Sequence, residues 1–179
     1  MSDVLPGRPH DRSDSGPVSQ PTSRPEGFQR VVLALAARGH RHAPLWLEVP
    51  ARTSQEAADA LGVSLGQIAK SVIFRRRDDD RVVLIITSGD RRVDEKRVAA
   101  QTGALARADA DFVKARTGFS IGGVAPLAHA EEAVTLIDRE LFRFDQIWAA
   151  AGHPNGVFKL SPQELAQLTG APVVDVVQT

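Results

Sequence analysis

An α+β domain is what this sequence predicts, and three observations carry the prediction. Apolar residues repeat at helical spacing in some stretches and gather into short β-branched runs in others. Glycines and capping residues end these stretches at close intervals. Strands and helices do not alternate as a β-α-β architecture requires. The 179 residues are enough for one domain with a substantial core, and a hydrophobic share of 42% is that of a folded protein.

Residues 1–25 are dominated by Ser, Pro, Gly, Asp and Arg, with Val4, Leu5 and Val18 as their sizeable apolar groups. Such a segment buries too little surface to offset chain entropy, so a disordered tail is expected there. A single domain is expected over residues 26–179. It opens with a helix, because Phe28, Val31, Val32, Leu35 and Ala36 share one face and Gly39 supplies a stop. Leu45, Leu47 and Val49 then alternate as a half-buried strand does. Thr53 and Glu56 form a capping box for a short helix that Gly62 closes. Residues 64–69 read as one further helical turn.

Two β-rich runs, at 70–75 and 82–86, flank the acidic turn Asp78, Asp79, Asp80, which predicts a hairpin. The second run is apolar throughout, as a central strand covered on both faces would be. Residues 93–102 and 109–117 read as short helices ended by Gly103 and Gly118. Strands are expected at 134–137, 146–150 and 157–160, the middle one also being readable as helix. Ser161, Pro162 and Glu164 give a strong helix start. Gly170 ends that helix, and residues 173–177 close the chain as a strand.

Several chemistries are excluded by composition. Without cysteine there is no disulfide, thiolate metal site or cysteine nucleophile. Lys and Arg balance Asp and Glu at 22 each, which does not favour wrapping a nucleic-acid duplex and gives no reason to expect DNA as a partner. Contact with one RNA end stays compatible with that balance. The longest apolar run, at 31–37, is far below the ~20 residues of a membrane span. No membrane partner is expected, and the cytoplasm is the expected location.

Lys70 is the first residue with a chemical case. On a strand it shares a face with Val72 and Phe74, opposite Ser71 and Ile73. A cation so placed faces either a pocket that supplies an anionic partner or a route by which its stem packs and its ammonium reaches water. The stretch Gly118-Phe-Ser-Ile-Gly-Gly-Val-Ala-Pro126 is the second. Gly122 and Gly123 permit positive φ and close approach of backbone N–H groups, and Pro126 stiffens the exit. Such a loop is either a donor cradle for a developing oxyanion or a tight turn. His40 and His42 lack a carboxylate partner at a metal-ligand interval, so no metal and no cofactor are expected. The clusters Arg75 to Arg77, Arg91 with Arg92, and Lys96 with Arg97 are a solvated face or a phosphate track.

Taken in order, Leu61-Gly-Val, Gln67-Ile-Ala-Lys-Ser71, Ile86-Thr-Ser-Gly-Asp90, the 118–126 segment and Ala151-Gly-His-Pro-Asn155 resemble the YbaK/ProX family of aminoacyl-tRNA deacylases. Relatives of that family form the editing insertion of bacterial prolyl-tRNA synthetases. The resemblance implies a mixed, barrel-like β-sheet flanked by short helices. It implies metal-independent hydrolysis of the ester of a mischarged aminoacyl-tRNA, by trans-editing of tRNA(Pro). Because no convincing nucleophile–base pair is visible in the sequence, attack by water without a covalent intermediate is expected. The resemblance gives Lys70 and Gly122 catalytic roles, and nominates Ser71, Gly123, Val124, Pro126, Ser88 and His153 as substrate-binding. The implied partners are the 3′ end of the aminoacyl-tRNA and prolyl-tRNA synthetase. Two other readings remain open from the residues: a binding module of the same fold without turnover, and a serine hydrolase built on Ser71 or Ser88.

Overall fold

The computed structural model describes residues 23–179; the expected tail, apart from its last three residues, lies outside them. The chain is organised on one hairpin. Strand β2 (Ile68–Arg76) runs antiparallel to β3 (Val82–Ser88), in register from Ala69 opposite Ser88 to Arg75 opposite Val82. Every residue of β3 is buried, which explains its unbroken apolar run. Leu84 and Ile86 face one side, and Val83 and Ile85 the other, each pair in a separate hydrophobic cluster. Full burial of each such side chain contributes about 1.5–3 kcal/mol.

The remaining strands extend this hairpin into a mixed sheet in the order β1-β7-β6-β2-β3-β5-β8, with β4 also beside β2. They are β1 (Leu45–Trp46), β4 (Leu105–Arg107), β5 (Val134–Asp138), β6 (Ile147–Ala150), β7 (Gly156–Leu160) and β8 (Val173–Val174). Pairs β2–β6, β3–β5 and β5–β8 are parallel, and the rest antiparallel. Among the described residues five short helices flank the sheet: α1 (Glu26–Ala37), α2 (Ser54–Leu61), α3 (Glu95–Thr102), α4 (Ala110–Thr117) and α5 (Pro162–Thr169). Each starts or stops where its sequence says it should. Thr53, Asp94, Asp109 and Ser161 cap helix starts with their side chains, and Gly62, Gly118 and Gly170 take left-handed conformations at helix ends. The α+β class and the mixed sheet with short helices are therefore as expected.

Local boundaries differ from expectation for identifiable reasons. The strand at 45–49 pairs only through Trp46, because Leu47 and Ala51 turn their N–H groups to the carbonyls of Asn155 and Pro154 instead. The turn expected at 64–69 is a 3₁₀ turn over Leu65–Gln67, and Ile68 and Ala69 already belong to β2. Of the two readings of 146–150 the strand is the one observed, over Ile147–Ala150, held between β2 and β7. The last strand stops at Val174, with one isolated bridge from Val177 to Val93. Strand β4 and a 3₁₀ turn over Arg139–Arg143 carry too few residues for a periodic signal.

Candidate functional site

The sheet has a gap. Along one edge β2 is paired with β3 over nearly its whole length, but its other edge has two short neighbours. Strand β6 covers Ile68 and Ala69, β4 covers Phe74 to Arg76, and Lys70 to Ile73 lie between with neither. The N–H of Arg76 turns to Arg81 on the β3 side, and that of Arg77 to Ala104 on the β4 side. By that alternation Ser71 and Ile73 direct their main-chain groups into the gap. A cavity of about 460 Å³ opens there, with walls that include Ile68, Lys70, Ser71, Gly122, Val124 and Trp148.

Lys70 is half-buried on the cavity wall, and its Nζ donates to the Arg91 carbonyl at 2.6 Å. Burial pushes its ammonium below the ordinary value, Arg92 pushes the same way and Asp90 opposes them. An ammonium has three donors, so two remain after the bond to Arg91. That carbonyl sits in a turn clamped by charge. Arg143 reaches Asp90 at 2.8 Å and Glu140 at 2.9 Å, and it donates to Ser88 Oγ at 3.0 Å. Burial works against ionisation of Asp90, but its bonds to Arg143 and Ser88 outweigh that and hold its pKa below the ordinary value.

The glycine loop crosses the open edge. Ser120 accepts from the N–H of Gly123 at 3.0 Å and Gly122 has φ 88°, the arrangement of a type II turn with glycine at its third position. The turn thus consumes the Gly123 N–H, while the Gly122 N–H has no partner among the described residues. Gly123 is buried against the chain at His153: a Cβ there would stand 2.7 Å from His153 Cα. Ser71 Oγ donates to the Val124 carbonyl at 2.9 Å, tying the loop to β2.

The loop exit is held from behind. His129 Nε2 donates to the Ala125 carbonyl at 2.7 Å. Arg30 donates through Nε to Ala128 at 2.9 Å and through Nη2 to Thr117 at 2.8 Å. Ala128 has φ 63°, a left-handed conformation that costs an alanine about 1–2 kcal/mol and persists only where its surroundings fix it. Burial pushes His129 below its ordinary pKa, the Ala125 bond opposes this, and Arg30 adds to the lowering. Sequence reasoning missed Arg30 and His129, whose roles depend on partners far along the chain.

Of the expected site residues, Lys70, Ser71, Gly122 and Val124 meet on the cavity wall. Gly123 and Pro126 are buried and lie outside its lining. His153 stands beside the lining residue Pro154, stacked on Trp46 at 4.9 Å, and its Nδ1 accepts from the Asn155 N–H. Ser88 is fully buried away from the cavity, donating to the Gly66 carbonyl. His40 and His42 pack edge to face at 5.8 Å, and His40 donates to the Lys159 carbonyl. Among the described residues no three His, Asp or Glu side chains converge as a metal site. No helix among them is long and apolar enough to cross a membrane.

The structure is thus an α+β domain whose interrupted sheet edge opens a cavity between a lysine and a glycine-turn backbone. The chain belongs to the aminoacyl-tRNA editing domain family, whose profile it matches over residues 48–168. It is 37% identical over 131 residues to the uncharacterized protein YwhH of Bacillus subtilis, covering 72% of this chain and 83% of YwhH. It is 29% identical over 94 residues to the proline–tRNA ligase of a Thermoanaerobacter species, covering 50% of this chain but 16% of the ligase. A crystal structure provisionally assigned as a trans-editing enzyme for prolyl tRNA synthetase superposes with a TM-score of 0.81 at 35% identity, covering 88% of this chain and 100% of that one.

Proposed function

We propose that this protein hydrolyses the ester of mischarged aminoacyl-tRNA, acting on tRNA(Pro) in trans to prolyl-tRNA synthetase. The observation that carries the reading is the cavity in the β2 edge, where the Lys70 ammonium and the free N–H of Gly122 line one space. Water attacks the acyl carbon, the bond from that carbon to the ribose oxygen breaks, and a proton passes to the ribose oxygen. The products are the free amino acid and the tRNA hydroxyl. Gly122 N–H would steady the carbonyl oxygen as negative charge develops, a contact worth about 3–4 kcal/mol in comparable sites. Lys70, with two donors left, would bind the ester end.

Two features support hydrolysis without a covalent intermediate. Ser71 spends its hydroxyl proton on the Val124 carbonyl, and Ser88, fully buried outside the cavity lining, spends its own on the Gly66 carbonyl. Neither serine is activated as a nucleophile. Separate editing has a physical reason: a synthetic pocket gains only about 1–3 kcal/mol from one methylene and admits smaller competitors.

The test is single-turnover deacylation of a panel of aminoacyl-tRNAs, tRNA(Pro) carrying the wrong amino acid among them, by the wild-type protein and Lys70→Ala. Loss of a charged hydrogen bond should slow the reaction roughly tenfold to a hundredfold, with folding unchanged by circular dichroism. Full activity in Lys70→Ala would remove the lysine from the mechanism. Binding of tRNA with no turnover on any substrate would convert the reading to a binding module.

A further inference from the structure

The basic residues divide by whether they have a counter-charge. Arg75 pairs with Asp80, Arg76 with Asp79, Arg116 with Glu131 and Arg139 with Asp175, so those guanidinium groups are neutralised in place. On the lining of the cavity the charged residues are Lys70 and Arg52, and no Asp or Glu among the described residues joins them. The Arg52 guanidinium has neither a carboxylate nor a hydrogen-bond partner among the described residues; its main-chain N–H alone is used, donating to Glu56.

Although exposed, Arg52 is not adrift. Its segment is fastened to the His153 turn by the Leu47 and Ala51 N–H groups, which donate to Asn155 and Pro154 at 2.7 and 2.8 Å, and by Asn155 Nδ2, which donates to Leu47 at 2.7 Å. A Cβ on Gly122 would lie 4.0 Å from the Arg52 carbonyl and 3.9 Å from Pro154 Cγ, so three chain segments meet at one lip. Arg52 also acts on His153, lowering its pKa after burial has done so. Beside them stand the Trp46–His153 stack and Ile121, a large apolar side chain left 58% exposed.

A guanidinium without a counter-charge, next to apolar and aromatic surface at the mouth of a cavity, fits a nucleotide: the fork takes a phosphate and the neighbouring surface a base. We propose that Arg52 anchors the last phosphodiester of the RNA 3′ end, leaving Lys70 for the ester deeper in the cavity. This rests on the deacylase reading for its substrate and goes beyond it by separating the two cations. It explains why a chain with no net charge can still engage RNA, since a guanidinium at the cavity lining, with a second, Arg24, over the Trp46 ring at 4.5 Å, does what a basic surface does elsewhere.

The experiment compares two short 3′-CCA oligonucleotides, one natural and one with a neutral methylphosphonate at its last linkage. Binding to the wild type, Arg52→Ala and Arg52→Lys is read by fluorescence anisotropy at two salt concentrations. The natural oligonucleotide is expected to bind the wild type roughly tenfold more tightly. That preference should vanish in Arg52→Ala, survive in part in Arg52→Lys and weaken with salt. Equal affinities in the wild type, an undiminished preference in Arg52→Ala, or no binding of either oligonucleotide would overturn the proposal. Turnover on misacylated tRNA is measured separately. An intact phosphate preference without turnover would sink the deacylase reading and leave the anchor, and turnover without the preference would sink the anchor alone.

Discussion

The hairpin end and the middle of strand β2 carry similar residues to opposite effect. At the hairpin end, Phe74 and Arg75 are flanked by strands on both edges, and Arg75 and Arg76 are matched by Asp80 and Asp79. In the middle, the edge from Lys70 to Ile73 has no neighbouring strand among the described residues, and Lys70 has a carbonyl as its partner instead of a carboxylate. A completed sheet with balanced charge has nothing left to offer a ligand. An interrupted one presents main-chain donors and acceptors, and an unmatched cation keeps the capacity to bind an anion. The candidate site is thus the place where the fold leaves its own bonding unfinished.

The largest effect that would break this contrast is at Gly123. Its Cβ would meet backbone atoms at His153, which no rotamer change can clear. Gly123→Ala is expected to cost about 3 kcal/mol of stability, seen in chemical denaturation, and to abolish deacylation as the loop leaves the open edge. Gly122→Ala offers a sharper reading, because a Cβ there would meet Pro154 and Arg52 only at ordinary contact distances and its φ of 88° alone resists a side chain. It should fold, with a strain of about 1–2 kcal/mol, and lose activity through a reshaped turn. A milder change comes from Ser71→Ala, which removes the tether from β2 to Val124. About 1 kcal/mol of stability should go with that bond, and KM should rise more than kcat falls. A loss confined to kcat would instead give the hydroxyl a part in the chemistry.

How much of this could be read from sequence follows from where each signal resides. Strand β3 and the caps at Thr53 and Ser161 were legible because each lies within a few consecutive residues. Lys70 and the glycine loop were legible as a pair only through the ordered stretches that resemble the family, since each alone also fits a packed lysine or a tight turn. Three things were out of reach: the gap in the sheet, which depends on where β6 and β4 stop; the loss of the Gly123 N–H to its own turn; and the clamp of Arg30 and His129 on the loop exit. All three arise from contacts between distant residues, and no local pattern encodes them.

His129 gives a pH dependence whose sign can be worked out. Its folded pKa lies below the ordinary 6.5, so the fold prefers the neutral ring. The contribution is complete above about 6.5 and is lost as pH falls from there through the folded value. Arg30, on the facing helix, works in the same direction. Thermal unfolding should therefore show stability declining below pH 6.5, by at most about 1.4 kcal/mol per pH unit for one proton. His129→Gln keeps a donor for Ala125 and should flatten that part of the slope. An unchanged slope would assign the acid sensitivity to other groups.

The smallest effect is expected at the hairpin end, where a null result carries information. Asp80 holds a left-handed φ of 57°, which asparagine tolerates equally, so Asp80→Asn changes charge with little change of backbone. Its partner Arg75 is about as exposed as Asp80 itself, at 45% against 47%. Solvent screening then limits the pair to well under about 1 kcal/mol, and Tm should move little. Asp80→Asn also creates what Arg52 has by nature, a guanidinium without its carboxylate. If any free arginine on this surface can hold the RNA end, affinity for the 3′-CCA oligonucleotide should rise. If the cavity lip is what makes Arg52 an anchor, affinity and deacylation should both stay as they are. The second outcome is expected, because Arg75 is paired with strands on both edges and lies outside the cavity lining.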